Sequence, residues 1–288
     1  MFESHEFVRV INECQNPCDP LLAGERFASL FMSKDRISGR KILITGASSG
    51  IGRAGAIQLA ERGAEVLLMA RRAEELDAVV TDITAAGGKA SAFPIDLTDA
   101  AAVDTLMTSI HATHGKIDVL INNAGRSIRR SATQSLERLH DYDRCMQINY
   151  FAPLRLIHHV LPPMLEAGDG HVINVLTWGT LMPAAYFSAY TASKSALGAA
   201  AQGMDAELRS QGVAFTGLHY PLVHTAMSAP TEHYKSMPGM STKKAGSWMV
   251  KAVKNRPARI APPYAVAAGL GNTLLPGPSA SVAGRLKF

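Results

Sequence analysis

From Lys41 onward, apolar residues arrive in short runs that alternate with longer amphipathic stretches. The short runs, 41–45, 65–70, 90–95, 117–121, 171–176 and 214–219, are nearly continuous in hydrophobic residues, as strands buried on both faces must be. Between them, apolar positions recur at helical spacing over about 51–62, 73–86, 100–114, 142–166 and 190–210, each followed by Gly or a polar turn. Strand alternating with helix predicts a doubly wound α/β fold, a parallel sheet covered by helices on both faces. A short final strand is expected around Arg259 and Ile260. Residues 1–39 break the rhythm. Phe7, Val8 and Ile11, then Leu21, Leu22, Phe27, Leu30 and Phe31, are spaced as two short helices interrupted near Asn16, Pro17 and Pro20. The pattern therefore gives a helical extension, 1–39, ahead of a single α/β domain, 40–288. The apolar stretch 258–284 is too broken by Pro and Gly to span a membrane and is suited to covering a groove.

Composition narrows what such a fold can be. With 288 residues, 47% hydrophobic and 18% charged, the chain can bury one sizeable core or two smaller ones and reads as neither disordered nor fibrous. Three cysteines make no disulfide framework and point to a reducing compartment. Cys14 and Cys18 are close together, but no Cys/His pair follows at finger spacing, so no metal site is expected. Cys145 reads as a helix residue. Glu3 and Glu6 stand where a secretory leader would be basic, and the expectation is a soluble, cytoplasmic protein. The net charge of +5 is unevenly spread. After Glu232 come Lys235, Lys243, Lys244, Lys251, Lys254, Arg256, Arg259, Arg285 and Lys287 with no acid among them. This positive tail suits a phosphate-bearing ligand, anionic lipid or nucleic acid, or is a solvated face that binds nothing.

Immediately after the first strand, Thr45-Gly46-Ala47-Ser48-Ser49-Gly50-Ile51-Gly52 runs straight into a helix. Glycines let the backbone turn tightly and approach a pyrophosphate, while the new helix aims unpaired N–H groups and its positive dipole end at the anion. In this strand-turn-helix setting the spacing predicts a dinucleotide cradle. The choice between NAD and NADP falls at the end of the second strand, where an acid holds free ribose hydroxyls and a base holds a 2′-phosphate. That strand ends Met69-Ala70-Arg71-Arg72, with Ala70 in the place of an acid and Arg71 suited to two-pronged phosphate contact. NADP(H) is the expected cofactor. The competing reading, in which both arginines merely open the next helix on a solvated face, stays open.

Tyr190-Thr191-Ala192-Ser193-Lys194 begins a predicted helix, with tyrosine and lysine on one face. A phenol titrating near pH ~10 is a poor acid or base at neutrality, and a nearby ammonium would bring it toward the working range. Such a pair alone says little. Together with the glycine turn, Asn122-Asn123-Ala124-Gly125 after the fourth strand and Asn149 on the next helix, it resembles the short-chain dehydrogenase/reductase family over about residues 38–260. The resemblance implies a Rossmann-type fold with Asn149, Thr177, Tyr190 and Lys194 as catalytic residues. It implies cofactor contacts from Gly46, Ser48, Ser49, Gly50, Ile51, Gly52, Arg71, Arg72, Asp96, Leu97, Asn123, Ala124, Gly125, Tyr190, Lys194, Pro221, Val223 and Thr225. Within that set, Asp96 would meet the adenine, and Asn149 would hold a water in a proton relay through Lys194.

Two positions depart from the family pattern. Thr177 stands where a Ser usually ends the fifth strand; it keeps the hydroxyl but adds a methyl group and a stiffer χ1. Pro221-Leu222 replaces the usual Pro-Gly beside the nicotinamide. Longer stretches, 120–130, His140-Asp141, Asn149-Tyr150-Phe151, 220–231 and 256–261, are similar to bacterial fatty acyl-CoA reductases that make long-chain aldehydes. The activity this implies is NADPH-dependent hydride transfer to a long-chain acyl-CoA thioester or fatty aldehyde. The alternatives are a ketone or secondary-alcohol oxidoreductase, and a non-catalytic cofactor- or lipid-binding module. Trp178, Leu181, Met182, Tyr186, Phe187, Met227 and Met237 would line an acyl pocket, unless they are ordinary core. Expected partners are a lipid-like small molecule, a peripheral membrane contact and further copies of the chain in a homodimer or homotetramer, with no nucleic acid.

Overall fold

The computed structural model describes residues 36–229 and 231–285. From Arg36 onward the chain forms one compact unit. Its strands are β1 (Lys41–Thr45), β2 (Glu65–Ala70), β3 (Lys89–Pro94), β4 (Val119–Asn122), β5 (Gly170–Thr177), β6 (Val213–Tyr220) and β7 (Arg259–Ile260). All pair in parallel, in the order β3-β2-β1-β4-β5-β6-β7. The crossovers carry α1 (Gly50–Ala60), α2 (Ala73–Ala85), α3 (Ala100–His114), α4 (His140–Met146), α5 (Ala152–Glu166) and α6 (Ser188–Leu208).

The continuous apolar runs follow from this arrangement. Side chains alternate between the faces of a strand, so a strand covered on both sides needs apolar residues at both parities. Ile42 and Ile44 of β1 pack on one side with Ala56 and Leu59 of α1. Leu43 between them packs on the other side with Val103 and Met107 of α3 and Leu156 of α5. The same division separates Val66 and Leu68 from Leu67 and Met69 in β2. Strand order reverses between β1 and β4, which opens a crevice above their carboxyl ends, the place where sheets of this kind bind ligands.

Several elements differ from the sequence reading. The helix expected over 142–166 begins at His140 and is interrupted by a π-helical turn, Gln147–Phe151, before α5. The helix holding Tyr190 starts earlier, at Ser188. Beyond β6 the pattern reading missed α7 (Glu232–Lys235), α8 (Thr242–Asn255), α9 (Pro263–Leu274) and α10 (Pro276–Arg285). In α8 the run of lysines hides an apolar stripe of Ala245, Met249, Ala252 and Val253, which is buried. That stripe packs on α1, where Gln58 Nε2 donates to the Lys243 carbonyl at 2.9 Å. No helix among the described residues is long and apolar enough to cross a membrane. The two helices expected in the extension, with Cys14 and Cys18, fall within 1–35, outside the described residues; residues 36–39 are turns that place Ile37 in the core.

Candidate active site

The crevice holds a cavity of about 1200 Å3. At one end, Gly46, Ser48, Ser49, Gly50 and Ile51 of the β1–α1 turn line it. Gly46 has φ +64, open to glycine at no steric cost. Asn123 stitches this turn to the one after β4: its Nδ2 donates to the Thr45 carbonyl at 2.9 Å and the Gly46 carbonyl at 3.1 Å. The Thr45 hydroxyl in turn accepts from the amides of Asn123 at 3.0 Å and Ala124 at 2.9 Å. Gly52 lies just behind the lining. A Cβ there would collide with the Gly46 carbonyl oxygen and stand 2.6 Å from Asn123 Nδ2. Ser49 caps α1 without a side-chain hydrogen bond, so the first amides of the helix face the crevice uncapped. These features fit the pyrophosphate of a dinucleotide.

At the far end of the cradle stand Ala70, Arg71, Arg72, Asp96 and Leu97. Arg71 was the residue weighted for phosphate contact. Arg72, expected at the cofactor with it, has its Nη2 on the hydroxyls of Ser48 at 3.4 Å and Ser49 at 3.3 Å while Nη1 pairs with Glu75 at 2.7 Å. The Thr98 amide and hydroxyl bond Asp96 at 2.9 and 2.7 Å, and with Arg71 and Arg126 they hold its carboxyl below the usual range. Pro221, Val223 and Thr225 line the cavity from the loop after β6, where the Thr225 methyl packs on Gly50.

Tyr190 and Lys194 occupy the first two turns of α6 and meet the end of β5. The Tyr190 phenol and the Thr177 side chain lie side by side in the cavity wall. Lys194 is 3% exposed, and its Nζ donates to the Val175 carbonyl at 2.8 Å. Burial pushes Tyr190 up to about 12, only partly opposed by the Thr177 side chain beside it, and pulls Lys194 down to about 8. Helical spacing alone suggested that the ammonium would lower the phenol. Desolvation instead dominates both groups, and the lysine is committed to a strand carbonyl.

Asn149 sits inside the π-helical turn, fully buried and outside the cavity lining. Its Oδ1 accepts from the Arg126 amide, and its Nδ2 donates to the Arg126 carbonyl and the Ser193 hydroxyl, each at 2.9 Å. Its amide thus ties the β4 loop to α6. Asn149 Oδ1 and Lys194 Nζ flank Gly125, 2.8 and 3.2 Å from where a side chain there would begin. Cys145 is buried and its thiol is pushed up by burial, the reverse of what a nucleophile requires.

Of the apolar residues expected around a substrate, Trp178, Met182, Phe187, Met227 and Met237 line the cavity, whereas Leu181 and Tyr186 do not. Leu181 packs against α9 at Gly269, and Tyr186 lies beneath the Arg129 guanidinium, 4.6 Å from its ring centre. The basic tail also falls elsewhere: among its described residues none lines the cavity, Lys235 pairs with Glu232 and Arg256 with Asp169, each at 2.6 Å. Besides Arg71 and Arg72, the arginines on the wall are Arg126, Arg129 and Arg144. The run Arg126-Ser127-Ile128-Arg129-Arg130 was the available signal, read for its likeness and not for its charge.

A glycine cradle at the switch point of a parallel sheet, with a tyrosine and a lysine converging on the same cavity, defines a dinucleotide-dependent oxidoreductase. Short chain dehydrogenase, as a family, matches residues 40–236. The chain belongs to the short-chain dehydrogenase/reductase family, enzymes that work with a nicotinamide nucleotide. It is 52% identical to a fatty acyl-CoA reductase of Mycobacterium tuberculosis, over 80% of this chain and 79% of that one. It is 44% identical to a fatty acyl-CoA reductase of Acinetobacter baylyi, over 84% and 85% of the two chains. Among solved structures, a metagenomic short-chain oxidoreductase in complex with NADP superposes with a TM-score of 0.68 at 29% identity, over 78% of this chain and 96% of that one. A short-chain dehydrogenase from Streptomyces avermitilis gives 0.73 at 29%, over 87% and 99%.

Proposed function

We propose that the protein uses NADPH to reduce a long-chain fatty acyl-CoA thioester to the fatty aldehyde. The observation that carries this reading is the continuity of the cavity. It runs from the glycine cradle past Tyr190 and Thr177 to a wall of Trp178, Met182, Phe187, Met227 and Met237. At about 1200 Å3 it exceeds the usual range for a pocket, about 300–1,000 Å3, as a site for both a dinucleotide and an extended apolar substrate should. The names of the two relatives at 52% and 44% identity support the same substrate class.

In this reading the nicotinamide, when bound, supplies the hydride. Tyr190 and Thr177 hold the carbonyl oxygen, and the Tyr190 hydroxyl donates the proton that neutralises it. Lys194 keeps Tyr190 and the end of β5 in register. The net change is a two-electron reduction: the carbonyl carbon gains hydrogen, and as the resulting hemithioacetal re-forms its carbonyl the bond to sulfur breaks and the proton taken by oxygen passes to the departing thiol. No cysteine nucleophile takes part, consistent with the buried, high-pKa thiol of Cys145. The deciding assay is kcat/KM for acyl-CoAs of increasing length. Each methylene buried contributes up to about 0.8 kcal/mol, so the value should climb with chain length until the wall is filled. A flat series, or turnover confined to short polar ketones, would reject the substrate and leave the reductase standing.

NADPH is favoured over NADH because Ala70 takes the place of the acid that would select NADH, and Arg71 and Arg72 follow it at the cavity, with Arg72 on the Ser48 and Ser49 hydroxyls. Replacing Arg72 with Ala should weaken NADPH about 10- to 100-fold, the worth of a charge-assisted phosphate contact, and leave NADH nearly unchanged. Fluorescence titration of both cofactors checks this; equal losses for the two would place Arg72 outside phosphate recognition.

A further inference from the structure

We propose that His219 and Thr180, which the catalytic reading leaves unused, are positioning residues that set the Thr177–Tyr190 pair from behind the strand. β5 ends at Thr177, and the chain leaves through a 3-10 turn, Trp178–Thr180. The Thr180 hydroxyl donates to the Thr177 carbonyl at 2.7 Å. A hydroxyl has one hydrogen, so its second close contact, to His219 Nδ1 at 2.9 Å, is one it accepts. That assigns the proton of the neutral imidazole to Nδ1. His219 is 4% exposed and lies on β6 beside Leu176 of β5. Its ring fits because Gly217, two residues earlier on the same strand face, has no side chain: a Cβ there would stand 3.0 Å from Nε2.

The ring also lies against the Thr177 backbone. Burial, with Arg259 on the adjoining β7, holds its pKa down to about 4, so the device stays neutral through the working range. Two residues before Thr177, Lys194 of α6 grips the Val175 carbonyl. The end of β5 is thus clamped from both sides, by the lysine at 175 and by the threonine and histidine at 177. The Thr177 hydroxyl, held at 3.3 Å by the Gly179 amide, is thereby set beside Tyr190 in the cavity wall. Neither His219 nor Thr180 lines the cavity, so both act through Thr177. A pair of apolar residues of the same shape would hold the fold equally well, because matched removal of two buried hydrogen-bonding partners is nearly neutral. What these two supply is direction.

The test uses the full-length enzyme with NADPH and whichever carbonyl substrate it turns over fastest. Thr180→Val should lower kcat about 10- to 100-fold, as small misplacements of reacting groups do, with KM for NADPH within about twofold of the unmodified enzyme. Thr180→Ser should restore kcat. His219→Asn, which can still present a donor, should retain more turnover than His219→Leu at equal NADPH-binding stoichiometry, the check that each variant is folded. Unchanged kcat in Thr180→Val, an equally large rise in KM for NADPH, or failure of Ser to restore kcat would overturn the proposal. Because only relative turnover on any accepted carbonyl is read, these outcomes are independent of the acyl-CoA assignment.

Discussion

Tyr190→Phe should cut turnover about 10²- to 10⁴-fold, the usual contribution of a positioned general acid, while NADPH binds within a few-fold of its affinity for the unmodified enzyme. The phenol stands in the cavity wall beside the Thr177 side chain at the end of β5. Phenylalanine keeps the ring, so α6 and its contact with Phe187, at 6.3 Å between ring centres, survive. Only the hydroxyl is lost. Stopped-flow turnover paired with cofactor titration separates the two quantities. Retained turnover would mean that another donor, with Thr177 the nearest, protonates the carbonyl oxygen.

Gly52→Ala should act at the other end of the cavity and show the opposite signature, with NADPH affinity falling about 100-fold or more. A Cβ at this position meets the Gly46 carbonyl oxygen and Asn123 Nδ2, which are backbone and stitched side chain and have nowhere to retreat. Relief requires the β1–α1 turn to open, which spoils the aim of the helix amides. Strain in a packed region also costs about 1–3 kcal/mol of stability, so the thermal midpoint should fall with affinity. Isothermal titration and a melting curve check both. Unaltered NADPH binding would show that the cradle tolerates a side chain and that the cofactor lies elsewhere.

The parallel sheet was legible because a strand buried on both faces leaves no polar parity, and Lys41–Thr45 and Glu65–Ala70 show that directly. The glycine cradle was legible for a similar reason: close backbone approach leaves few residue choices at Gly46 and Gly52. What escaped reading was structure set by tertiary contact. The lysine run of α8 masked a stripe whose partner, α1, lies far away in sequence. Asn149 was placed on a helix, but the π-helical turn that holds it depends on Arg126 and Ser193. His219 carried no signal at all, since a histidine in a strand becomes a positioning group only through Thr180 on a neighbouring turn. Charge was legible only where it clusters: the acid-free tail stood out, and none of its described residues lines the cavity, whereas Arg126, Arg129 and Arg144, which join Arg71 and Arg72 in the wall, are interspersed with polar and apolar residues in the β4 loop and α4.

The most direct test of the account is the stoichiometry of one reaction, a long-chain acyl-CoA incubated with NADPH and the full-length enzyme, with aldehyde, free thiol and oxidised cofactor measured together. The account predicts one thiol released and one aldehyde formed for each NADPH consumed, with all three signals lost together in Tyr190→Phe. NADPH consumption without thiol release, or release of thiol with no aldehyde, would contradict it.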